Sequence, residues 1–346
     1  MSETLAIKYR PRTWGDVTEQ ASIKTILKNQ LERGEVKNAY LFCGGAGTGK
    51  TTCARIFANE INHGEGNPIE MDAASNSSVD DVRNIIQQSQ HKSLDSKYKV
   101  FIIDECHSIS NTGWQAFLKL LEEPPATSIF IFCTTDPQKI PKTILSRVQR
   151  YEFQRISQNG IFDRLMKILQ MEDIPQLQGN SLVDAVEYIA KIADGGMRDA
   201  ITMLDQCLSY STEITEETVM KALGLESIDQ MQELVTALMQ CDFIAAVNVI
   251  ERVHSSGHDL KQFIKSFLAF LINIGKRKCG CADDYIDLPM TDALIAWILT
   301  LDTDFIQRII SFILQLNYDI KWETNPKMLI EAKFMEICYD WTEKIG

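Results

Sequence analysis

The chain has 346 residues, a hydrophobic share of 45%, a charged share of 24% and a formal net charge of −12. The length predicts two or three domains, and the composition is that of an ordinary globular protein. No run reaches the roughly 18 apolar residues of a membrane span. Glu3 is an acidic residue in the region where a signal peptide carries basic residues. We therefore expect a cytoplasmic protein without a membrane partner. Residues 1–150 hold 18 Lys and Arg against 17 Asp and Glu, but residues 151–346 hold 17 against 30, so phosphate contacts are expected in the first part only.

Up to about residue 150, short apolar runs alternate with helical segments. The apolar runs at 39–43, 100–104 and 129–134 predict strands, while helices are predicted over 51–59 and 114–123. Pro-free apolar runs of four to six residues, separated by helices, are typical of a buried parallel sheet. We therefore predict an α/β domain over residues 1–153.

A glycine-rich segment follows the first predicted strand and matches G-x-x-x-x-G-K-[ST] in full. Its glycines allow backbone N–H groups to surround a phosphate at a helix N-terminus. Lys50 is expected to reach the β- and γ-phosphates of ATP, and the Thr51 hydroxyl to bind Mg²⁺. The motif residues are Gly44, Gly45, Ala46, Gly47, Thr48, Gly49, Lys50 and Thr51, followed by Thr52.

The second predicted strand ends in two carboxylates. Asp104 is placed to bind Mg²⁺, and Glu105 to orient or deprotonate the attacking water. An apolar run followed by D-E is common, but a complete P-loop about fifty residues upstream makes the pair specific.

Four further residues have roles that the residue types alone leave open. Thr134 and Thr135 end the third strand, where they either help to position water or simply close the strand. Arg147 and Arg198 are suited to the charge on a transferring phosphoryl group, but each also fits an ordinary surface ion pair.

Beyond residue 153 the chain is predicted to be helical. Helices are predicted over 161–171, 181–193 and 198–208, and only helices follow from about residue 215, giving a small helical domain over 154–212 and a larger helical domain over 213–346. Ile330, Phe334, Ile337 and Trp341 form one apolar face of the last helix. Seven scattered cysteines indicate reduced core thiols: Cys43, Cys53, Cys106, Cys133, Cys207, Cys241 and Cys338. Cys279 and Cys281 form a C-x-C pair, a weak metal signal whose role stays open.

The set of motifs resembles the gamma/tau family of bacterial DNA polymerase III subunits, which are AAA+ clamp-loader ATPases. The resemblance covers most of residues 5–210 and continues more faintly to the end. Beside the P-loop and Asp104-Glu105, it is carried by K-Y-R-P at residues 8–11, I-E-M-D-A-A-S-N at 69–76, L-K-L-L-E-E-P-P at 118–125, T-T-D-P at 134–137 and I-L-S-R at 144–147.

This resemblance implies roles for several residues. Arg147 matches an arginine that reaches the neighbouring subunit's ATP site, and Arg198 matches one that contacts the γ-phosphate within the same subunit. Thr135 becomes the expected sensor of the γ-phosphate, and Thr134 is the second candidate for this role. Tyr9, Arg10 and Pro11 match the segment near the adenine. Residues 154–212 look like the AAA+ lid, and residues 213–346 look like the collar that holds the subunits together.

Two departures from the family pattern stand out. The family's Ser-Arg-Cys is Ser146-Arg147-Val148 here, which keeps the arginine. Bacterial members usually carry a four-cysteine zinc module before the second strand, but residues 56–70 contain no cysteine, so we expect no zinc. The missing module and the absence of the long tau tail suggest a compact or phage-encoded version.

The resemblance implies an ATPase subunit that opens a sliding clamp and places it on primer–template DNA during replication. We expect a pentameric ring with other loader subunits, and sequence-independent phosphate contacts to DNA. Residues 75–83 and 108–114 are candidates for those contacts, although ordinary N-caps explain them equally well. The alternatives are another AAA+ motor, such as a branch-migration helicase, and a non-hydrolysing scaffold subunit.

Overall fold

The fold is described from a computed structural model that covers residues 3–345 except 77, 94, 173–179, 212, 224–227, 258, 283–284, 287 and 289–291. The chain divides into two compact units, Met1–Glu213 and Ile214–Gly346. Within the described ranges, no helix combines the length and the apolar character needed to cross a membrane. The predicted three-part division at residues 153 and 212 stays a prediction.

The first unit begins with strands and helices in alternation. In chain order these elements are α1 (Leu5–Lys8), α2 (Ala21–Arg33), β1 (Ala39–Gly44), α3 (Lys50–Ile61), β2 (Ile69–Asp72), α4 (Val79–Ser89), β3 (Lys99–Asp104), α5 (Asn111–Glu122), β4 (Ser128–Thr134), α6 (Lys142–Leu145) and β5 (Gln149–Phe153). Short 3-10 turns cover Cys106–Ser108 and Pro137–Lys139. Three helices complete the unit: α7 (Gln158–Met171), α8 (Asn180–Ile192) and α9 (Met197–Tyr210).

The five strands form one parallel sheet in the order β2-β3-β4-β1-β5. Successive side chains of the central strands enter opposite faces, because a strand has a period of two residues. Tyr40 and Ile102 therefore pack in one core, whereas Leu41 and Phe101 pack in the other. Helices cover both faces, so the central strands are apolar throughout, as the sequence predicts.

The crossover order brings the carboxyl ends of β1, β3 and β4 side by side. Cys43 pairs with Thr134 in register, and Ile103 pairs with Phe132. In open α/β sheets the ligand site lies outside the carboxyl ends of the strands. Residues that directly follow these three strands are therefore the candidates for chemistry.

The second unit is helical throughout its described residues and has its own apolar core. Its helices are α10 (Glu216–Ala222), α11 (Ile228–Met239), α12 (Phe243–Ser255), α13 (Leu260–Lys278), α14 (Asp292–Thr300), α15 (Thr303–Asp319) and α16 (Pro326–Ile345), with a 3-10 turn at Ile320–Trp322. Ile330, Phe334 and Ile337 are buried, which confirms the predicted apolar face of the last helix. The side chain of Trp341 lies outside the described part of the structure.

Candidate nucleotide site

The P-loop connects β1 to α3 and wraps around the ammonium group of Lys50. Lys50 Nζ donates to Gly44 O at 2.8 Å and to Gly45 O at 2.6 Å. The side chain is only 6% exposed, and this burial lowers the pKa of Lys50, while the nearby Glu105 and Asp104 carboxylates act in the opposite direction. A buried cation held by neutral carbonyls is suited to receive an anionic ligand.

A hydroxyl and a carboxylate meet where α3 begins and β3 ends. Thr51 Oγ1 donates to Asp104 Oδ2 at 2.7 Å, although the two residues are 53 positions apart. Both groups are hard oxygen donors, which is the ligand type that Mg²⁺ prefers. The arrangement therefore fits the cation that the sequence predicts at Thr51 and Asp104.

Glu105 directly follows β3 and adopts a left-handed backbone conformation, with φ 44° and ψ 42°. Its carboxylate oxygen Oε2 accepts from Thr135 Oγ1 at 3.1 Å. This contact brings the expected catalytic carboxylate and the expected sensor together across two adjacent strands. Such positive φ values are uncommon outside glycine, and they cluster at functional sites.

The loop before α9 lies against the P-loop. Met197 N donates to Gly47 O at 3.1 Å. Gly47 has a φ of 69°, and a Cβ atom built there would lie 2.9 Å from Gly196 Cα, so no larger residue fits without a shift. Arg198 follows directly at the start of α9, with its side chain exposed. The structure thus places Arg198 beside the phosphate-binding loop, and its contact with a γ-phosphate stays a prediction.

The segment at residues 9–11 runs between the P-loop helix and the lid. Arg10 Nε donates to Thr52 Oγ1 at 3.3 Å. Burial lowers the pKa of Arg10, and the like charges of Arg55 and Arg198 act in the same direction. Tyr9 O accepts from Arg164 Nη2 at 2.9 Å, while Pro11 is half-buried.

Within the described part of the chain, Arg147 forms no hydrogen bond with the P-loop residues and is bound instead by residues of α5 and α6. Its Nη2 donates to Glu122 Oε1 at 2.7 Å, and its Nη1 donates to Thr143 O at 2.7 Å. The side chain remains 33% exposed. Arg147 therefore lies at the surface, where an arginine that acts on a neighbouring subunit has to be.

Two functional contacts escaped the sequence analysis. His107 lies 3.2 Å from Glu105 Oε2 through its Nδ1, and Arg164 holds the backbone of Tyr9. His107 closes the run D-E-C-H at residues 104–107, so its nearness to Glu105 in sequence was an available signal. Arg164 offered none, because 155 residues separate it from Tyr9.

The serines proposed for phosphate contacts cap their own helices. Ser78 forms a capping box with Asp81 at the start of α4, and Ser110 accepts from Gly113 N at the start of α5. These bonds match the N-cap interpretation, and DNA contact by either segment stays a prediction.

The cysteine predictions divide into tested and untested parts. All nine cysteines are free; six of the seven predicted core thiols are buried, and Cys241 is half-buried. Burial raises the pKa of Cys53 to about 12 and that of Cys207 to about 11, which keeps both thiols protonated. Cys279 is exposed and Cys281 half-buried. Over the described residues, no cluster of three or more His, Cys, Asp or Glu is arranged to hold a metal ion; the predicted absence of zinc stays a prediction.

Three protein-family models match consecutive parts of the chain. The model of the DNA polymerase III delta subunit matches residues 67–157, and that of the DNA polymerase III clamp loader subunit ATPase lid domain matches residues 160–213. The model of domain III of the DNA polymerase III subunits gamma and tau matches residues 214–342.

Solved structures support the fold alone. RuvB of Thermotoga maritima, described as a Holliday junction branch migration motor, superposes with a TM-score of 0.52 at 19% identity, over 72% of this chain and 86% of that one.

Curated relatives match over most of the chain. The tau subunit of DNA polymerase III from Bacillus subtilis is 32% identical over 95% of this chain and 62% of its own length. The tau/gamma subunit from Haemophilus influenzae is 36% identical over 74% of this chain and 40% of its length, and the tau subunit from Escherichia coli K12 is 32% identical over 79% and 45%. This chain thus covers between two fifths and about three fifths of the length of these relatives. Together with the family models, these matches show that the chain belongs to the gamma/tau family of DNA polymerase III subunits.

Proposed function

We propose that the chain is the ATP-hydrolysing subunit of a sliding-clamp loader in DNA replication. The observation that carries the proposal is the meeting of Lys50, Thr51, Asp104 and Glu105 at the carboxyl edge of a parallel sheet. Membership of the gamma/tau family supports the same function. The family model that matches residues 160–213 is described as the ATPase lid domain of a clamp loader subunit, which supports a clamp loader as the assembly.

In the proposed reaction, the P-loop residues bind and orient ATP. Lys50 exchanges the carbonyls of Gly44 and Gly45 for the β- and γ-phosphates. Thr51 and Asp104 hold Mg²⁺, which when bound neutralises charge that develops on the phosphate oxygens. The P-loop N–H groups at the start of α3 complete the anion site.

Glu105 acts as the base that orients and deprotonates the attacking water. Thr135 contacts this carboxylate directly, which supports its proposed role as the sensor of the terminal phosphate. Arg198 contacts the γ-phosphate in the same subunit, and the start of α9 against Gly47 supports that placement. Arg147 reaches the ATP of a neighbouring subunit, after leaving Glu122.

ATP binding orders the subunits around a clamp, and hydrolysis after primer–template DNA has entered releases the clamp onto DNA. Such coupling requires partners that bind the ATP and ADP states differently. The proposal includes a pentameric ring with other loader subunits, phosphate contacts to DNA and a cytoplasmic location.

The test is steady-state ATP hydrolysis by the assembled complex, with and without a sliding clamp and primed DNA. We expect the clamp and primed DNA together to accelerate turnover, and the variants Glu105→Gln and Arg147→Ala each to abolish it. Turnover that ignores the clamp and responds to branched DNA would instead support a branch-migration motor. ATP binding without turnover in the full complex would support a scaffold subunit.

A further inference from the structure

The carboxylate of Glu105 is held at one oxygen by two side chains. Glu105 Oε2 accepts from Thr135 Oγ1 at 3.1 Å and lies 3.2 Å from His107 Nδ1. Both contacts converge on Oε2, so Oε1 is the oxygen left for a water molecule. The His107 side chain is 19% exposed and that of Glu105 is 36% exposed.

The backbone explains why the ring of His107 reaches this oxygen. Glu105 is left-handed and opens the 3-10 turn Cys106–Ser108, which carries the chain back past its own side chain. Glu105 N also donates to Asp104 Oδ1 at 3.0 Å, which fixes the start of the turn. The ring therefore lies between Glu105 and the end of β4.

Thr134 contacts the same nitrogen of the ring. His107 Nδ1 lies 3.2 Å from Thr134 Oγ1, and this oxygen accepts from Asp136 N at 3.0 Å. Thr134 is fully buried at the end of β4. The position of His107 is thus set by the neighbouring strand, independently of Glu105.

The contact between the two side chains requires one tautomer of the ring. An ionised carboxylate only accepts hydrogen bonds, so the contact with Glu105 is attractive when His107 Nδ1 carries the proton. Hydrogen bonds to a charged acceptor are stronger than those between neutral groups. His107 Nδ1 in this form has one proton and two oxygens at 3.2 Å, Glu105 Oε2 and Thr134 Oγ1.

Thr135 cannot keep both of its roles at once. A hydroxyl has one proton to donate, so a Thr135 that turns to the terminal phosphate releases Glu105. His107 then becomes the donor that still holds Oε2. This step rests on the proposed function, since it requires ATP in the site.

We propose that His107 is a positioning residue for ATP hydrolysis: it anchors Oε2 of Glu105, so that Oε1 stays directed at the attacking water while Thr135 turns to the phosphate. The histidine of D-E-C-H thereby has a function distinct from those of Asp104 and Glu105. A loss of this anchor moves the carboxylate, and a misplacement of about 1 Å can lower the rate about a hundredfold.

The test compares three substitutions in the full chain, assembled with its loader partners. In His107→Asn the side-chain amide nitrogen takes the place of Nδ1, whereas in His107→Gln it lies one bond farther, near the place of Nε2. His107→Leu removes the donor. For each variant, kcat is measured by ATP turnover and ATP affinity by a fluorescent ATP analogue. His91→Leu is the matched control, since His91 is an exposed histidine beyond α4 in the same unit.

We expect His107→Leu and His107→Gln to lower kcat between about tenfold and a hundredfold, with ATP affinity changed less than about twofold, because the effect is one of geometry at Glu105. His107→Asn should restore kcat to within about threefold of the unmodified chain, because its nitrogen can donate to Oε2. His91→Leu should change neither quantity.

The outcomes separate this inference from the proposed function. An unmodified complex that does not hydrolyse ATP overturns the proposed function itself. Turnover by the unmodified complex together with an undiminished kcat of His107→Leu overturns this inference alone. A parallel loss of ATP affinity, or a failure of His107→Asn to restore kcat, assigns His107 a purely structural role and also overturns it.

Discussion

Lys50 illustrates how a binding residue opposes the stability of the ligand-free fold. Its ammonium group is buried and donates to two carbonyls of the P-loop. The pKa of Lys50 is lowered, chiefly by burial, which means that the charged form is less stable here than in water. The phosphates of a bound nucleotide would supply the missing negative charge.

We predict that Lys50→Met raises the melting temperature of the nucleotide-free chain and abolishes its stabilisation by ATP. Methionine fills a similar volume without a charge to desolvate, and a gain of about 1 kcal/mol corresponds to roughly 2 °C in a unit the size of Met1–Glu213. The measurement is thermal unfolding with and without ATP and Mg²⁺. Lys28→Met is the control, because Lys28 is exposed on α2; a lower melting temperature of nucleotide-free Lys50→Met would contradict the prediction.

The lowered pKa of Lys50 also makes the stability of the nucleotide-free chain depend on pH. The pKa of Lys50 in the folded chain lies below the ordinary value of 10.5, so between these two values the unfolded chain binds more protons. Stability contributed by this site therefore rises with pH across that window, and below it the full penalty of the buried charge is present. The increase in the free energy of unfolding that Lys50→Met gives should therefore become smaller as the pH is raised toward 10.5.

At the scale of elements, the short helix α1 and the segment after it are tied to the lid. Leu5 N donates to Asp205 Oδ2 at 3.1 Å, Lys8 Nζ contacts Glu172 at 2.6 Å, and Arg164 holds Tyr9 O. The exposed Lys8 pair contributes little, because surface ion pairs are weak. The half-buried Arg164 bond is a charge-assisted contact of about 1.5–3 kcal/mol.

We predict that Arg164→Ala weakens ATP binding about threefold to tenfold, because loss of about 1 kcal/mol of support loosens the segment at residues 9–11. Turnover at saturating ATP should stay within about twofold, since Arg164 contacts none of the residues proposed to act on the γ-phosphate. Isothermal titration with a non-hydrolysable ATP analogue and steady-state kinetics measure the two effects. Arg33→Ala, at the exposed end of α2, serves as the control. A fall in kcat equal to the loss of affinity would contradict the prediction.

The strands show which elements sequence alone could predict. β1, β3 and β4 are central and apolar throughout, so their runs were recognised within one or two residues of the observed bounds. β2 and β5 form the two edges of the sheet, and their residues alternate between buried and exposed positions. These two short strands therefore lacked the continuous apolar run that identified the others.

The same distinction holds within the site. The P-loop is one continuous segment of the sequence, and Asp104-Glu105 is another, so the chemistry of each could be predicted from its local pattern. The bond between Thr135 and Glu105 spans 30 residues and depends on which strands are neighbours. The hold of Glu122 on Arg147 likewise depends on packing between α5 and α6. Contacts of this kind require the topology of the sheet before they can be inferred.

At the scale of the whole molecule, the boundary between Glu213 and Ile214 separates two compact units, each with its own apolar packing. The cores on the two faces of the sheet are built within residues 14–153. The large apolar core of the helical unit is built from residues between Met231 and Cys338. A unit with its own core is expected to fold without the rest of the chain.

We predict that a fragment of residues 214–346 folds alone, because its core cluster draws every member from within these residues. Circular dichroism should give a helical spectrum and one cooperative thermal transition, as small single domains usually do. The matched fragment of residues 1–213 keeps the P-loop, Asp104 and Arg198, so ATP with Mg²⁺ should raise its melting temperature and leave that of the helical fragment unchanged. A helical fragment that melts without cooperativity would show that its core needs support from the first unit, and the helical region could not then act as an independent platform for assembly.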